Sequence, residues 1–141
     1  MYTDQNLYLS DAQALTATAA STKSIDFATA LRNVGHGEPI ELVVAVKTAL
    51  LASGGASNLT VALQDSADNS SFSTVVTGPA VAKASLVAGY ELLRVRLPHT
   101  LRRYIQVYYT VDTNDMTSGT IDAFLVIDRQ DNVARPSGFT V

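Results

Sequence analysis

A two-residue alternation of apolar and other side chains constrains this chain more than any other feature. In Ile40 to Thr48, one set carries Ile40, Leu42, Val44 and Val46, and the other carries Glu41, Val43, Ala45 and Lys47. In Asn58 to Gln64 the apolar set is Leu59, Val61 and Leu63. In Tyr90 to Leu97, Leu93, Val95 and Leu97 alternate with Arg94 and Arg96. In Tyr104 to Val111, Ile105, Val107, Tyr109 and Val111 alternate with Tyr104, Gln106, Tyr108 and Thr110. In Thr120 to Ile127, Ile121, Ala123, Leu125 and Ile127 alternate with Thr120, Asp122, Phe124 and Val126. Strand side chains point to opposite faces in turn, whereas a helix repeats its apolar positions every three or four residues. Each segment is therefore a strand with a core face and a more polar face. Lys23 to Phe27, Phe72 to Val76 and Val81 to Ser85 are shorter candidates.

The breakers fall between these runs. Gly35-His36-Gly37-Glu38-Pro39, Ser53-Gly54-Gly55-Ala56-Ser57, Asp65 to Ser71, Gly78-Pro79, Pro98-His99 and Asp112 to Asp115 are rich in residues that favour turns. A parallel sheet would need crossover helices of about a dozen residues, and no segment has a helical apolar stripe. The pattern predicts an all-β fold: an antiparallel two-sheet sandwich of the jelly-roll type. Residues 1–22 read as an N-terminal arm or irregular segment, because Ser10 to Ser21 is Ala/Thr-rich and lacks an apolar stripe. Residues 23–128 read as the β-sandwich domain. Residues 129–141 break the alternation and read as a C-terminal tail, whose Phe139 and Val141 are suited to docking on a neighbour.

Composition narrows the function. The 141 residues are 47% hydrophobic, enough for a packed core. There is no cysteine, which excludes disulfides and thiolate zinc sites. Ten Lys and Arg against 13 Asp and Glu give a net charge of -3, which argues against direct nucleic-acid binding. Only 16% of residues are charged, so much of the surface is built from Ser, Thr, Asn and Gln. The polar start Met1 to Asn6 is not a signal peptide, and the apolar run Leu42 to Val46 is far too short to span a membrane. The expectation is a soluble protein made in a reducing cytoplasm, with no membrane partner.

No catalytic constellation emerges. His36 and His99 each sit in a turn, and neither has a nucleophile elbow beside it. Asp65, Asp68 and Asn69, and likewise Asp112, Asn114 and Asp115, lack the spaced ligands of a calcium loop and read as turn formers. Gly54-Gly55 has no following Lys-Ser or Lys-Thr, so it is no phosphate loop. Asn58-Leu59-Thr60 matches a glycosylation acceptor by chance. Neither an enzyme, a cofactor nor a small-molecule substrate is expected. Arg94 and Arg96 share one strand face near Arg102 and Arg103, and Arg is favoured at protein interfaces. Tyr104 and Tyr108 share another face and suit a subunit contact or a sugar platform.

Leu7 to Thr16, followed by Ala17 to Asp26, resembles the small cement or decoration proteins of tailed-bacteriophage capsids, and Leu63 to Phe72 is similar to a strand–turn–strand piece of that group. The resemblance implies a jelly roll on the outer capsid surface of a virion, synthesised in the host cytoplasm. It implies the major capsid protein as partner, self-association as a homodimer, and reinforcement of the shell by bridging neighbouring capsomers. Many weak contacts on a symmetric lattice add up by multivalency. The contact candidates are Leu15 on the arm, Arg94, Arg96, Tyr104 and Tyr108 on strand faces, and Phe139 and Val141 on the tail. The alternatives are a carbohydrate-binding β-sandwich module and another virion structural protein, for head completion or tail.

Overall fold

The computed structural model describes residues 4–28, 39–53, 56–112 and 114–127. Ten strands occupy most of them: β1 (Tyr8–Ala14), β2 (Ala19–Ala20), β3 (Ile25–Asp26), β4 (Ile40–Ala52), β5 (Asn58–Ser66), β6 (Ser73–Thr77), β7 (Val81–Ala82), β8 (Glu91–Arg96), β9 (Tyr104–Asp112) and β10 (Met116–Ile127). Two single-turn 3-10 segments, Gln5–Leu7 and Lys83–Ser85, are the only helical residues among those described. Each alternating run identified in the sequence is a strand, and the predicted turns at Asp65 to Ser71, Gly78-Pro79 and Pro98-His99 separate strands, while Gly35 to Glu38 and Gly54-Gly55 lie outside the described residues.

The strands form two sheets, and every pairing is antiparallel. The first sheet has the order β1-β10-β4-β8. The second has β2-β9-β5-β6, with β3 also on β9 and β7 also on β5. Counting β2 with β3 and β6 with β7 as broken single strands, the outermost pair in sequence is first-to-last, and pairing works inward to β5 with β6. The long hairpin is then rolled so that β10 meets β4 and β9 meets β5. This is the jelly-roll order, and the expected fold class is the one found.

The inward set of each alternating run fills the space between the sheets. Leu42, Val44, Val46, Ile121, Ala123 and Leu125 from the first sheet meet Leu59, Val61, Leu63, Ile105, Val107 and Tyr109 from the second, and none of these is more than 2% exposed. Fully burying one such aliphatic side chain contributes about 1.5–3 kcal/mol, so this interior holds the fold without any crosslink. Tyr109 brings a hydroxyl into it. The group is tied across the sandwich to Ser10 Oγ of β1 at 2.8 Å. Ser10 donates to Gln13 Oε1 at 2.6 Å, so Tyr109 is the donor to Ser10. Gln13 Oε1 also accepts from Thr22 N at 2.9 Å, which closes a network linking both sheets.

The N-terminal segment differs from the sequence reading. Residues 10–22 are irregular yet belong to the sheets, because Tyr8–Ala14 pairs with β10 and Ala19–Ala20 pairs with β9. Leu15 lies between these strands, 1% exposed and part of the core. The physical reason is that β1 is irregular: its register on β10 shifts twice, and Ala12 has φ 46°. These bulges break the alternation, while Leu9 and Leu15 anchor the segment at either end. The tail 129–141 and His36 lie outside the described residues.

Candidate functional site

A jelly roll whose inward side chains are this closely packed meets other molecules through its outer faces and edges. The edges are poorly suited to strand addition. β1 is bulged, and β2 and β3 are two-residue fragments. β6 carries a register shift at Val75 and breaks before β7, while β8 is six residues long and carries Arg94 and Arg96. Bulges, short strands and charges are the devices that blunt an edge. The outer faces remain.

The outer face of the first sheet is part apolar and part charged. Phe124 lies opposite Tyr8 on one side and Val43 on the other, and Val43 lies opposite Arg94. The Tyr8 and Phe124 rings are 5.3 Å apart. Val43, Phe124 and Val126 form a second small core at 2%, 7% and 2% exposure, with Tyr8 packed against it. Charges flank the cluster. Arg94 Nε donates to Glu41 Oε2 at 3.0 Å, and Lys47 lies 3.4 Å from both Asp11 and Asp122. The Asp122 charge, foremost, raises the Lys47 pKa, and the Gln5 and Lys47 side chains lower that of Asp11.

The outer face of the second sheet carries no charge across three successive rows. They are Gln106–Gln64–Thr74, Ala20–Tyr108–Ala62–Thr77 and Thr110–Thr60. Gln106 Nε2 donates to Gln64 Oε1 at 2.9 Å, and Gln64 Nε2 donates to Thr74 Oγ1 at 3.3 Å, a side-chain ladder across three strands. Among the described residues of β9 and β5, the charges of this face stand at its two ends. Arg103 grips both oxygens of Asp26 at 2.7 and 2.8 Å and lies 4.8 Å from the centre of the Tyr104 ring. Those hydrogen bonds hold the Asp26 carboxyl down at about 2. Asp112 marks the other end, opposite Asn58.

The Asp/Asn turns are occupied by their own hydrogen bonds. Asp68 accepts from the backbone N–H groups of Ser71 and Ser70 and from the Ser66 hydroxyl, which together hold its carboxyl far below the usual range. Asp65 is 6% exposed, and burial acts to raise its pKa. Arg102 outweighs that. It donates its backbone N–H and two guanidinium nitrogens to the carboxylate at 2.6–2.9 Å, and a further bond to the Asp65 carbonyl. Arg102 is thus taken up in fastening its loop to β5. Asn114 and Asp115 line a shallow polar hollow with Ser53 and Val111. Among the described residues no three His, Cys, Asp or Glu side chains stand close enough to share a metal ion.

The structure therefore separates the candidate contact residues. Arg94 and Arg96 project from the outer face of the first sheet, and Tyr104 and Tyr108 from that of the second. Leu15 is enclosed and offers a partner nothing. Phe139 and Val141 lie outside the described residues. Sequence reasoning missed the Val43–Phe124–Val126 cluster. Its signal was present, because Leu42 to Val46 and Ala123 to Ile127 are unbroken apolar runs, the mark of strands buried on both faces.

The fold is a jelly-roll β-sandwich, an architecture compatible with a structural or adhesive protein. A family model described as Bbp16 matches residues 9–125, and the chain belongs to the Bbp16 family. No curated protein matches the chain.

Proposed function

We propose that this chain is a capsid cement protein of a tailed bacteriophage, bound to the outside of the shell and bridging neighbouring capsomers. The observation that carries the reading is the jelly-roll sandwich itself, whose inward faces are sealed by apolar side chains and whose edges are blunted. That design leaves recognition to broad outer faces, as a molecule that seals a seam requires. The resemblance of Leu7 to Asp26 and Leu63 to Phe72 to cement proteins supplies the kind of partner, the major capsid protein. Arg94 and Arg96 of β8 lie on a charged face suited to acidic groups of such a partner.

The test is addition of the purified protein to undecorated shells of the parent phage. The expected outcome is saturable occupancy at a fixed ratio to the major capsid protein, with a higher temperature of shell rupture. Arg94→Ala with Arg96→Ala lowers the occupancy, and deletion of residues 129–141 tests whether the tail contributes. Shells that bind none of the protein and rupture at an unchanged temperature would refute the reading.

A further inference from the structure

We propose that the outer face of the second sheet binds a neutral polysaccharide of the bacterial surface, with the Tyr108 ring as its platform. The setting rests on the cement reading. The two outer faces of a sandwich point in opposite directions. A molecule held to a shell through Arg94 and Arg96 of the first sheet therefore turns the Tyr108 face outward, toward what the particle meets.

The two faces differ in how their polar groups are engaged. On the first, Arg94 pairs with Glu41, and Lys47 with Asp11 and Asp122. On the second, Gln106 donates to Gln64 and Gln64 to Thr74, yet each amide keeps a second N–H, and Gln106 Oε1 accepts nothing from a described residue. The hydroxyls of Thr60, Tyr108 and Thr110 likewise have no partner among the described residues. Amides and hydroxyls both donate and accept, as sugar hydroxyls do, so each of these groups has a match on a glycan. Tyr108 stands between Ala20 and Ala62, and both stop at Cβ, so no long side chain flanks it on either side. Its ring can take the apolar C–H face of a pyranose while its hydroxyl reaches a sugar oxygen.

Charge and size select the ligand. The rows Gln106–Gln64, Tyr108–Ala62 and Thr110–Thr60 carry no charge. An acidic glycan would bring its carboxylates to a site with no cation to meet them, on a chain whose net charge is -3. A neutral glycan meets neither obstacle. Alternate residues of a strand are about 7 Å apart, so the three rows make a strip about 14 Å long and two strands wide. That is room for a short stretch of a single glycan chain.

The test is titration of the full chain, with no shell present, with the neutral hexasaccharides cellohexaose and chitohexaose, followed through its amide signals by NMR. The expected result is saturable binding of at least one of them, with the side-chain amides of Gln64 and Gln106 among the signals that move. Tyr108→Ala weakens binding at least about tenfold, and so does Gln64→Ala with Gln106→Ala. Tyr108→Phe keeps the ring, drops one hydrogen bond and weakens binding only about threefold. Thr117→Ala on β10 changes nothing, and hexagalacturonate, the acidic control, does not bind. The same spectra report that each variant is folded. Failure of both neutral hexasaccharides to bind, binding indifferent to Tyr108→Ala and to the double Gln variant, or equal affinity for hexagalacturonate overturns the proposal. A chain that binds a neutral hexasaccharide and ignores shells would sink the cement reading alone; one that decorates shells and binds neither would sink the glycan site alone.

Discussion

Phe124 and Tyr108 hold equivalent places, each an outward-facing aromatic on the second strand of its sheet, yet their surroundings differ. Phe124 is 7% exposed among Tyr8, Val43 and Val126, whereas Tyr108 is half-buried between Ala20 and Ala62. The first sheet has apolar contacts on both of its faces. The second has a core face and an uncharged polar face. The same alternation thus produces a stability element in one sheet and an available surface in the other, and the outward residue type decides which.

Truncation sharpens that contrast most. Phe124→Ala is expected to lower unfolding stability by about 3 kcal/mol, the usual cost of emptying a buried aromatic site. Tyr108→Ala is expected to cost less than about 1 kcal/mol, as for a cross-strand pair. Denaturant titration of both variants checks the difference, and equal losses would mean that the two faces are not distinct. For charges the order of the sheets reverses. Arg102→Ala takes the guanidinium away from the buried Asp65 and leaves its carboxylate only the backbone N–H of residue 102, at an expected cost of about 2 kcal/mol, while Lys47→Ala, in an exposed cluster, costs less than about 1 kcal/mol.

Tyr109→Phe removes the hydroxyl that ties the second sheet to β1 and is expected to cost about 1 kcal/mol. It also changes the alkaline limit. Burial pushes the Tyr109 phenol upward from its ordinary value. Its neutral form therefore supports the fold fully below pH about 10, and that support is lost as pH rises through the elevated value. Wild-type stability should fall across this range with a component that the Phe variant lacks. The smallest effect is at the acid end. The Asp26 pKa is depressed to about 2, so the contribution of its link to Arg103 is present above pH about 4 and lost as pH falls toward 2. Faster amide exchange of β3 in that window, without change in β4 or β10, is the expected signature.

The strands from Ile40 to Ile127 were legible because one side of each run is apolar and the turns between them carry Gly, Pro, Asp or Asn. The segment 10–22 was not, because its place in the sheets depends on bulges and on a left-handed Ala12, which local patterning does not reveal. Leu15 was accordingly read as a surface contact, though distant strands enclose it. The bulge at Gly119 is of the same kind. Its φ is 121°, and a Cβ there would come within 2.7 Å of the Ala49 carbonyl oxygen and the Leu50 Cα. As for the outer faces, the run Tyr104 to Thr110 displays its polar set openly. That this set aligns with Gln64, Ala62 and Thr60 into uncharged rows follows only from the register of β9 on β5.

The position of β10 between β1 and β4 has a consequence for synthesis. A nascent chain lacks the strand that joins β1 to the rest of its sheet until Ile127 has left the ribosome. Sheet closure must wait for nearly all of the described sequence, since first-to-last pairing gives the fold a high contact order. Products that stop short of β10 would leave β1 and β4 with unpaired sides, open to degradation before they could fold.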